Sequence, residues 1–419
     1  MMKTNFSIIK AVAIIAVVVY HSCTIPYVGR FLGLFMIPVF FICSGYFFHT
    51  KYLGDAWAFV VRRFKGLYKP FVVWSVFFLL IHNLLFPLGI LSEEIGNSAG
   101  GVLHPYTWHA FSQRLWSVVF NMSGYEEFLS GTFWFFRALF LVSIAFLLLF
   151  KLSKKVFRKA TDAQLAWGIL ALTIVLTSWK LFENLKMTGV AQGGYRELVG
   201  MAFMSIGFLF RQYEERLINL MSWKFSLVAA LLLVVFTIFY PVSVTFNANL
   251  WQFLSLLFTG SLGFGLLYQA AAVVDARDGR FKNCVVYIGN HTLYIFAFHF
   301  AAFKLVSAIK VAAYGLPWHY VGSHPVVHEG SPWDGFWLLY TAVGIGLPLL
   351  VRHCWRQWTE GVSVDVENYA IKAFDVAPIY AAKALMFAKR GILSFSRSFV
   401  GFFSTLFDII KASNPKEDD

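Results

Sequence analysis

The sequence predicts an all-α membrane protein, a bundle of about ten transmembrane helices with both termini in the cytoplasm. Three observations predict it. Of the 419 residues 58% are hydrophobic and 19% aromatic, with a mean hydropathy of +0.65. Apolar windows long enough to cross a hydrocarbon layer of ~30 Å recur along the chain. The basic residues alternate with them: with the N-terminus inside, 27 of the 35 Lys and Arg fall in stretches that face the cytoplasm, as positive-inside bias requires. The net charge of +13 is therefore a topology signal. No zinc finger, RNA-binding signature or basic-aromatic stripe accompanies it, so nucleic acid is not an expected partner.

The spans are expected at 8–28, 31–49, 70–91, 132–150, 163–181, 195–210, 223–240, 250–274, 286–306 and 335–355. The first reads as a retained helix, because no small-x-small cleavage site follows its apolar run. It contains Lys10 and His21. Eleven steps of 100° come within about 20° of three full turns, so both side chains share one helix face about 16 Å apart. An ionisable group inside a span is a functional candidate by default. Lys10 also lies near enough to the N-terminus to snorkel to the headgroups, and His21 near enough to the far interface to bond a backbone carbonyl.

The loop before the third span carries Arg62, Arg63, Lys65 and Lys69. Positive-inside bias accounts for them without a ligand. Facing the same compartment as Lys10, they also suit a polyphosphate, with Arg giving two-point contacts and Lys a point charge. Adenosine phosphates on a long thiol arm, as in coenzyme A, fit such a cluster, and the arm then points toward His21. Trp134 opens the fourth span and Arg137 follows about one turn inside it, placed for a site or for snorkelling. Thr292 and His299 are seven residues apart and share a face of the ninth span. His299 is in mid-membrane there, as an interhelical hydrogen bond or a reacting group.

The outer stretches 92–131 and 307–334 are too short for a separate catalytic domain. Trp318, His319, His324, His328 and Trp333 in the second are sugar-facing candidates, although interfacial aromatic belts also place Trp there. Cys23, Cys43, Cys284 and Cys354 lack paired spacing, so neither a disulfide framework nor a metal site is expected. Residues 1–356 read as one membrane domain. The 357–419 region mixes aromatic and basic residues, as an interfacial helix on the cytoplasmic leaflet does, and ends in a disordered tail.

Several of these anchors together resemble the integral-membrane acyltransferase family 3. They are a basic residue ten positions before the His of the first helix, Phe41-Ile42-Cys43-Ser44-Gly45-Tyr46, the basic loop closing on Pro70 and Trp74, Trp134-Phe135-Phe136-Arg137-Ala138-Leu139, and Gly289 to His299. Their order along residues 10–299 carries the resemblance. It implies acetyl-CoA or another acyl-CoA as co-substrate, with no permanently bound cofactor, and a hydroxyl acceptor on a surface sugar or glycolipid. The position of His21 is implied to be essential. Two departures stand out: Lys10 where the family usually has Arg, and Gly66 interrupting the basic loop.

The expected function is an O-acyltransferase of the bacterial cytoplasmic membrane, with a cytoplasmic donor, an extracytoplasmic acceptor and His21 as general base. Arg137, Thr292 and His299 are candidates for stabilising the oxyanion, and Ser44, Trp134, Trp318 and His319 for lining the substrate path. Ser44 beside Gly45 also reads as a helix-packing pair, and an acyl-enzyme on Ser44, Cys23 or His21 stays open. No appended domain is evident, so transfer is expected to finish in the membrane part or pass to a separate protein. The competing expectation is a transporter or flippase using Lys10, Arg137 and His299 along a polar path, although no internal repeat supports it. The sequence carries no signal of oligomeric state.

Overall fold

The computed structural model describes residues 4–22, 25–92, 95, 104–186, 191–244, 248–331 and 333–361. The chain divides into two compact units, Met1–Ile345 and Gly346–Asp419. The first holds every element of the site. Of the second, only helical residues as far as Gly361 are described. The interfacial segments and tail expected within 357–419 therefore fall, past Gly361, outside the described residues, as does Cys23.

All regular structure among the described residues is helical. It comprises α1 (Thr4–Ser22), α2 (Pro26–Gly33), α3 (Met36–Tyr46), α4 (Ala56–Arg63), α5 (Lys69–Leu85), α6 (Trp108–Asn121), α7 (Glu127–Ser130) and α8 (Trp134–Val156). There follow α9 (Asp162–Phe182), α10 (Tyr195–Gln212), α11 (Glu214–Leu220), α12 (Trp223–Phe239), α13 (Leu250–Asp275), α14 (Arg280–Asn290), α15 (Thr292–Tyr314) and α16 (Phe336–Gly361). Among the described residues eight helical stretches are long and apolar enough to cross a membrane, or nine if α11 and α12, bent by 83° at their junction, form one span. The tenth expected span is α10. It forms, but Arg196, Glu197 and Arg211 keep it outside that set.

Local chemistry sets several helix starts. Thr161 with Gln164, and Asn249 with Gln252, close reciprocal capping boxes at the starts of α9 and α13, so orphan N–H groups are satisfied at the membrane edge. Two expected spans end differently. The first stops at Ser22 instead of running to 28, because Pro26 opens a new helix where its missing N–H costs nothing. The 286–306 segment is two helices meeting at His291. There α14 ends at Asn290 and α15 starts afresh at Thr292.

The most extensive helix pair is α3 against α10. Lipid gives helices no hydrophobic reason to associate, so small residues that let backbones touch carry the packing. A methyl group on Gly45 would land on the Met204 carbonyl, and one on Gly207 on the Ile42 carbonyl. The two glycines form a reciprocal backbone contact, and Ser44 and Cys43 ride on the helix it fixes.

Two lysines, Lys304 and Lys310, are buried on α15. Lys310 pairs with Asp334 at 2.9 Å and donates to the Val327 carbonyl at 3.2 Å. Burial alone would raise the Asp334 carboxyl, but hydrogen bonds and the Lys310 charge hold it below its ordinary 3.8. The unfolded chain therefore takes up this proton first, so the pair stabilises fully above about pH 4 and loses its contribution as the pH falls further. Asp334→Asn is expected to cost about 3 kcal/mol at neutral pH, the low end for breaking a buried pair. Thermal unfolding of the two proteins at pH 7 and pH 3 checks this, with the difference shrinking at the lower pH.

Candidate active site

Four of the polar candidates line one cavity of about 220 Å³: Lys10, Ser44, Arg63 and Thr292. Its remaining wall is mostly aromatic and aliphatic, with Ile14, Phe40, Phe135 and Phe296 among its members. Cations against such walls exert stronger fields than they do in water. Arg63 reaches the cavity because α4 ends in a π-helical turn over Phe64–Tyr68 before α5 begins. One extra residue in that turn changes the register of the side chains around it, a feature common at functional sites. Arg63 then donates to Ser44 Oγ at 3.1 Å and lies over the Phe59 ring at 5.0 Å. Arg62 instead bonds the Tyr52 hydroxyl at 2.9 Å, and Arg62, Lys65 and Lys69 are exposed. Of the loop cations, Arg63 is the one that lines the cavity.

His21 and His299 meet. The first ends α1, the second lies two turns into α15, and their rings stack with His21 Nδ1 3.1 Å from His299 Nε2. His299 is fully buried, and its Nδ1 lies 3.0 Å from both the Ile295 and Phe296 carbonyls. Those carbonyls accept only, so they assign the proton of His299 to Nδ1 and leave Nε2 with a lone pair. His21 must then donate from Nδ1, and its own lone pair sits on Nε2. One imidazole thus orients another, as the third member of a nucleophile-base-orienter chain does. Spacing alone gave two polar residues in separate spans, whereas the helix packing makes them a pair.

Phe300 packs against both rings, at 4.9 Å from His21 and 4.6 Å from His299, and against the His324 ring at 5.1 Å. Of the histidines in the outer 315–335 segment, His324 is the one that shares this contact. His319 stacks on Tyr320, while Trp318 is exposed and donates to the Leu88 carbonyl at 2.7 Å. The structure does not bring Trp318 or His319 to the histidine pair.

Arg137 is buried and ion-paired with Glu197, Nη2 to Oε1 at 3.1 Å. Trp134 lies beneath the Arg196 guanidinium at 3.7 Å. Neither Arg137 nor Trp134 lines the cavity. Sequence reasoning missed Glu197, His82 and Glu126. His82 and Glu126 are fully buried, with His82 Nδ1 3.7 Å from the Glu126 carboxylate and its ring stacked on Tyr106. The signal that found His21 was present for His82 and Glu197, since each is an ionisable residue inside an expected span.

A family model described as an acyltransferase domain matches residues 4–353. No curated protein and no solved structure matches the chain.

Proposed function

The chain belongs to the integral-membrane acyltransferase family 3, multi-pass enzymes that transfer acyl groups other than aminoacyl groups, and from that premise we propose that it moves an acetyl or other acyl group from coenzyme A to a sugar hydroxyl. The donor arrives from the cytoplasm and the acceptor, a carbohydrate or glycolipid, from the far side of a bacterial cytoplasmic membrane. The observation that carries this reading is the bond from His21 Nδ1 to His299 Nε2, which leaves His21 Nε2 as a base.

In the proposed reaction His21 Nε2 takes the acceptor O–H proton while the oxygen attacks the thioester carbonyl. The new C–O bond forms, the C–S bond breaks, and the departing thiolate recovers the proton from His21. His299 moves no proton away; it holds the ring of His21. Lys10 and Arg63 suit the donor phosphates, and the apolar cavity wall suits the pantetheine arm and excludes water. Thr292 lies about 10 Å of helix rise before His299, which favours a place beside that arm over one at the reacting carbon. A site reached from both faces lets the acyl group cross while coenzyme A stays on its own side.

The test is acyl transfer by the purified, reconstituted protein from labelled acetyl-CoA to candidate glycans. Acylated glycan supports the proposal, and substrate movement across the bilayer without acylation overturns it. Within it, Lys10→Ala is expected to raise the KM for acetyl-CoA roughly tenfold to a hundredfold, the worth of one charge-assisted contact. Lys10→Arg should change it little. Equal effects of the two substitutions on KM reject the phosphate assignment.

A further inference from the structure

A second cavity, of about 270 Å³, lies where α1 ends, and the reaction has not used it. Tyr20 forms one wall, Gly29, Arg30 and Gly33 of α2 a second, and Val242 and Ser243, just past the end of α12, a third. The glycines make the room. A methyl on Gly29 would meet only the Tyr20 ring, at 3.9 Å, whereas one on Gly33 would come within 3.2 Å of Ser243 Cβ. On the positive-inside topology the C-terminal ends of α1 and α12 both face the far side, the side from which the acceptor arrives. Tyr20 is 37% exposed and Arg30 is exposed, so a solute on that side can reach the walls.

The chemistry of these walls suits an anion on a sugar. Arg30 holds its guanidinium 5.4 Å from the centre of the Tyr27 ring, and no carboxylate among the described residues pairs with it. Positive-inside bias does not place an arginine on this face, and the planar fork of a guanidinium matches carboxylate and phosphate oxygens. Tyr20 presents an apolar ring with a polar tip, and Ser243 adds a hydroxyl that can donate or accept. A small ligand is held in this way, by mostly apolar walls with a few polar groups that fix its orientation. Tyr20 also joins the cavity to the base, since its ring meets the His21 ring edge-on at 5.4 Å.

We propose that this cavity binds an anionic acceptor sugar, with Arg30 holding its carboxylate or phosphate and Tyr20 packing against its ring. The inference rests on the reading of a far-side sugar acceptor deprotonated by His21. A sugar seated against Tyr20 is next to the residue that takes its proton, while its charge is held on α2, away from the reacting hydroxyl.

The experiment uses the full chain in phosphatidylcholine proteoliposomes, with a methyl hexopyranoside that the wild-type protein acetylates, its uronate and its 6-phosphate. Equilibrium binding of each sugar and its KM as acceptor are measured. At least one anionic sugar is expected to bind roughly tenfold more tightly than the neutral parent, the worth of a charge-assisted contact. Arg30→Ala should erase that preference and leave the KM for acetyl-CoA unchanged, while Arg30→Lys keeps part of it. Arg30 is exposed, so its removal leaves the packing in place. Gly29→Leu should fill the cavity and weaken all three sugars; if it fails to fold, the Arg30 variants decide. The inference is overturned if neutral and anionic sugars bind the wild type alike, if the preference survives in Arg30→Ala, or if folded Gly29→Leu binds all three as the wild type does. It is also overturned if inorganic phosphate, or phosphatidylglycerol added to the vesicles, displaces the anionic sugar as well as its own unlabelled form does, because the cavity is then a site for any phosphate or for a lipid headgroup. His21→Ala should lose transfer and keep the binding preference. Transfer by that variant sinks the base assignment alone, which separates that failure from this one.

Discussion

His21→Ala is expected to lower kcat for acyl transfer by about 10²- to 10⁴-fold, the range that a positioned general base contributes, with acetyl-CoA binding intact. The reason is the direction of the hydrogen bonds. Two carbonyls hold the His299 proton on Nδ1, His299 Nε2 accepts from His21 Nδ1, and the lone pair of His21 is fixed on Nε2. In the proposed mechanism, removing His21 removes the base and leaves the cavity, which begins seven residues earlier at Ile14, undisturbed. His299→Leu keeps the base and releases its orientation, so it should lower kcat by about 10²-fold, as loss of an orienting partner does elsewhere. Steady-state transfer rates for the two variants, with acetyl-CoA binding measured separately, check both. A His21→Ala protein as active as the wild type removes the base from the mechanism.

Gly207→Leu is expected to yield no folded protein. Overpacking of a side-chain core costs about 1–3 kcal/mol because side chains can move, but the neighbour of Gly207 is the Ile42 backbone. A leucine there drives α10 away from α3, and with them the walls that carry Cys43 and Ser44. Gly207→Ala should already cost about 3 kcal/mol or more. Gly168 on α9 has nothing within 4 Å of the place a methyl would take, so Gly168→Ala should be neutral or stabilise by up to about 1 kcal/mol through helix propensity. Thermal unfolding in detergent, read by size-exclusion recovery, compares the series. Equal recovery of the Gly207→Ala and Gly168→Ala proteins is incompatible with a backbone contact.

How much was legible depended on whether a residue's signal was its own or its neighbour's. Lys10, His21 and His299 announced themselves as polar residues in apolar runs, and three of the spans that hold the cavity followed from hydropathy. What one sequence does not print is which distant residue answers a given group. Arg137 looked available for an oxyanion, yet Glu197, sixty positions on, lies against it. Nothing in the sequence pairs Lys304 with the loop carbonyls or Lys310 with Asp334, which surround them in the fold. The break at His291 was not legible, because the apolar residues on either side read as one span over 286–306. The register change that brings Arg63 inward, while Arg62 and Lys65 stay outside, depends on a π-helical turn that composition does not specify.

The reciprocal contact of Gly45 and Gly207 also sets which wall of the cavity is fixed. A wall made of side chains yields when rotamers change, whereas α3 is seated on α10 with no side-chain layer between them at that point. Phe40, Cys43, Ser44 and Phe47 therefore stand on a rigid jamb. The facing wall holds Arg63 and Leu67, on and beside the π-helical turn, and Gly66 there has open space around it. Any side chain that must shift for the cavity to widen therefore stands on that side, on the segment that carries the arginine.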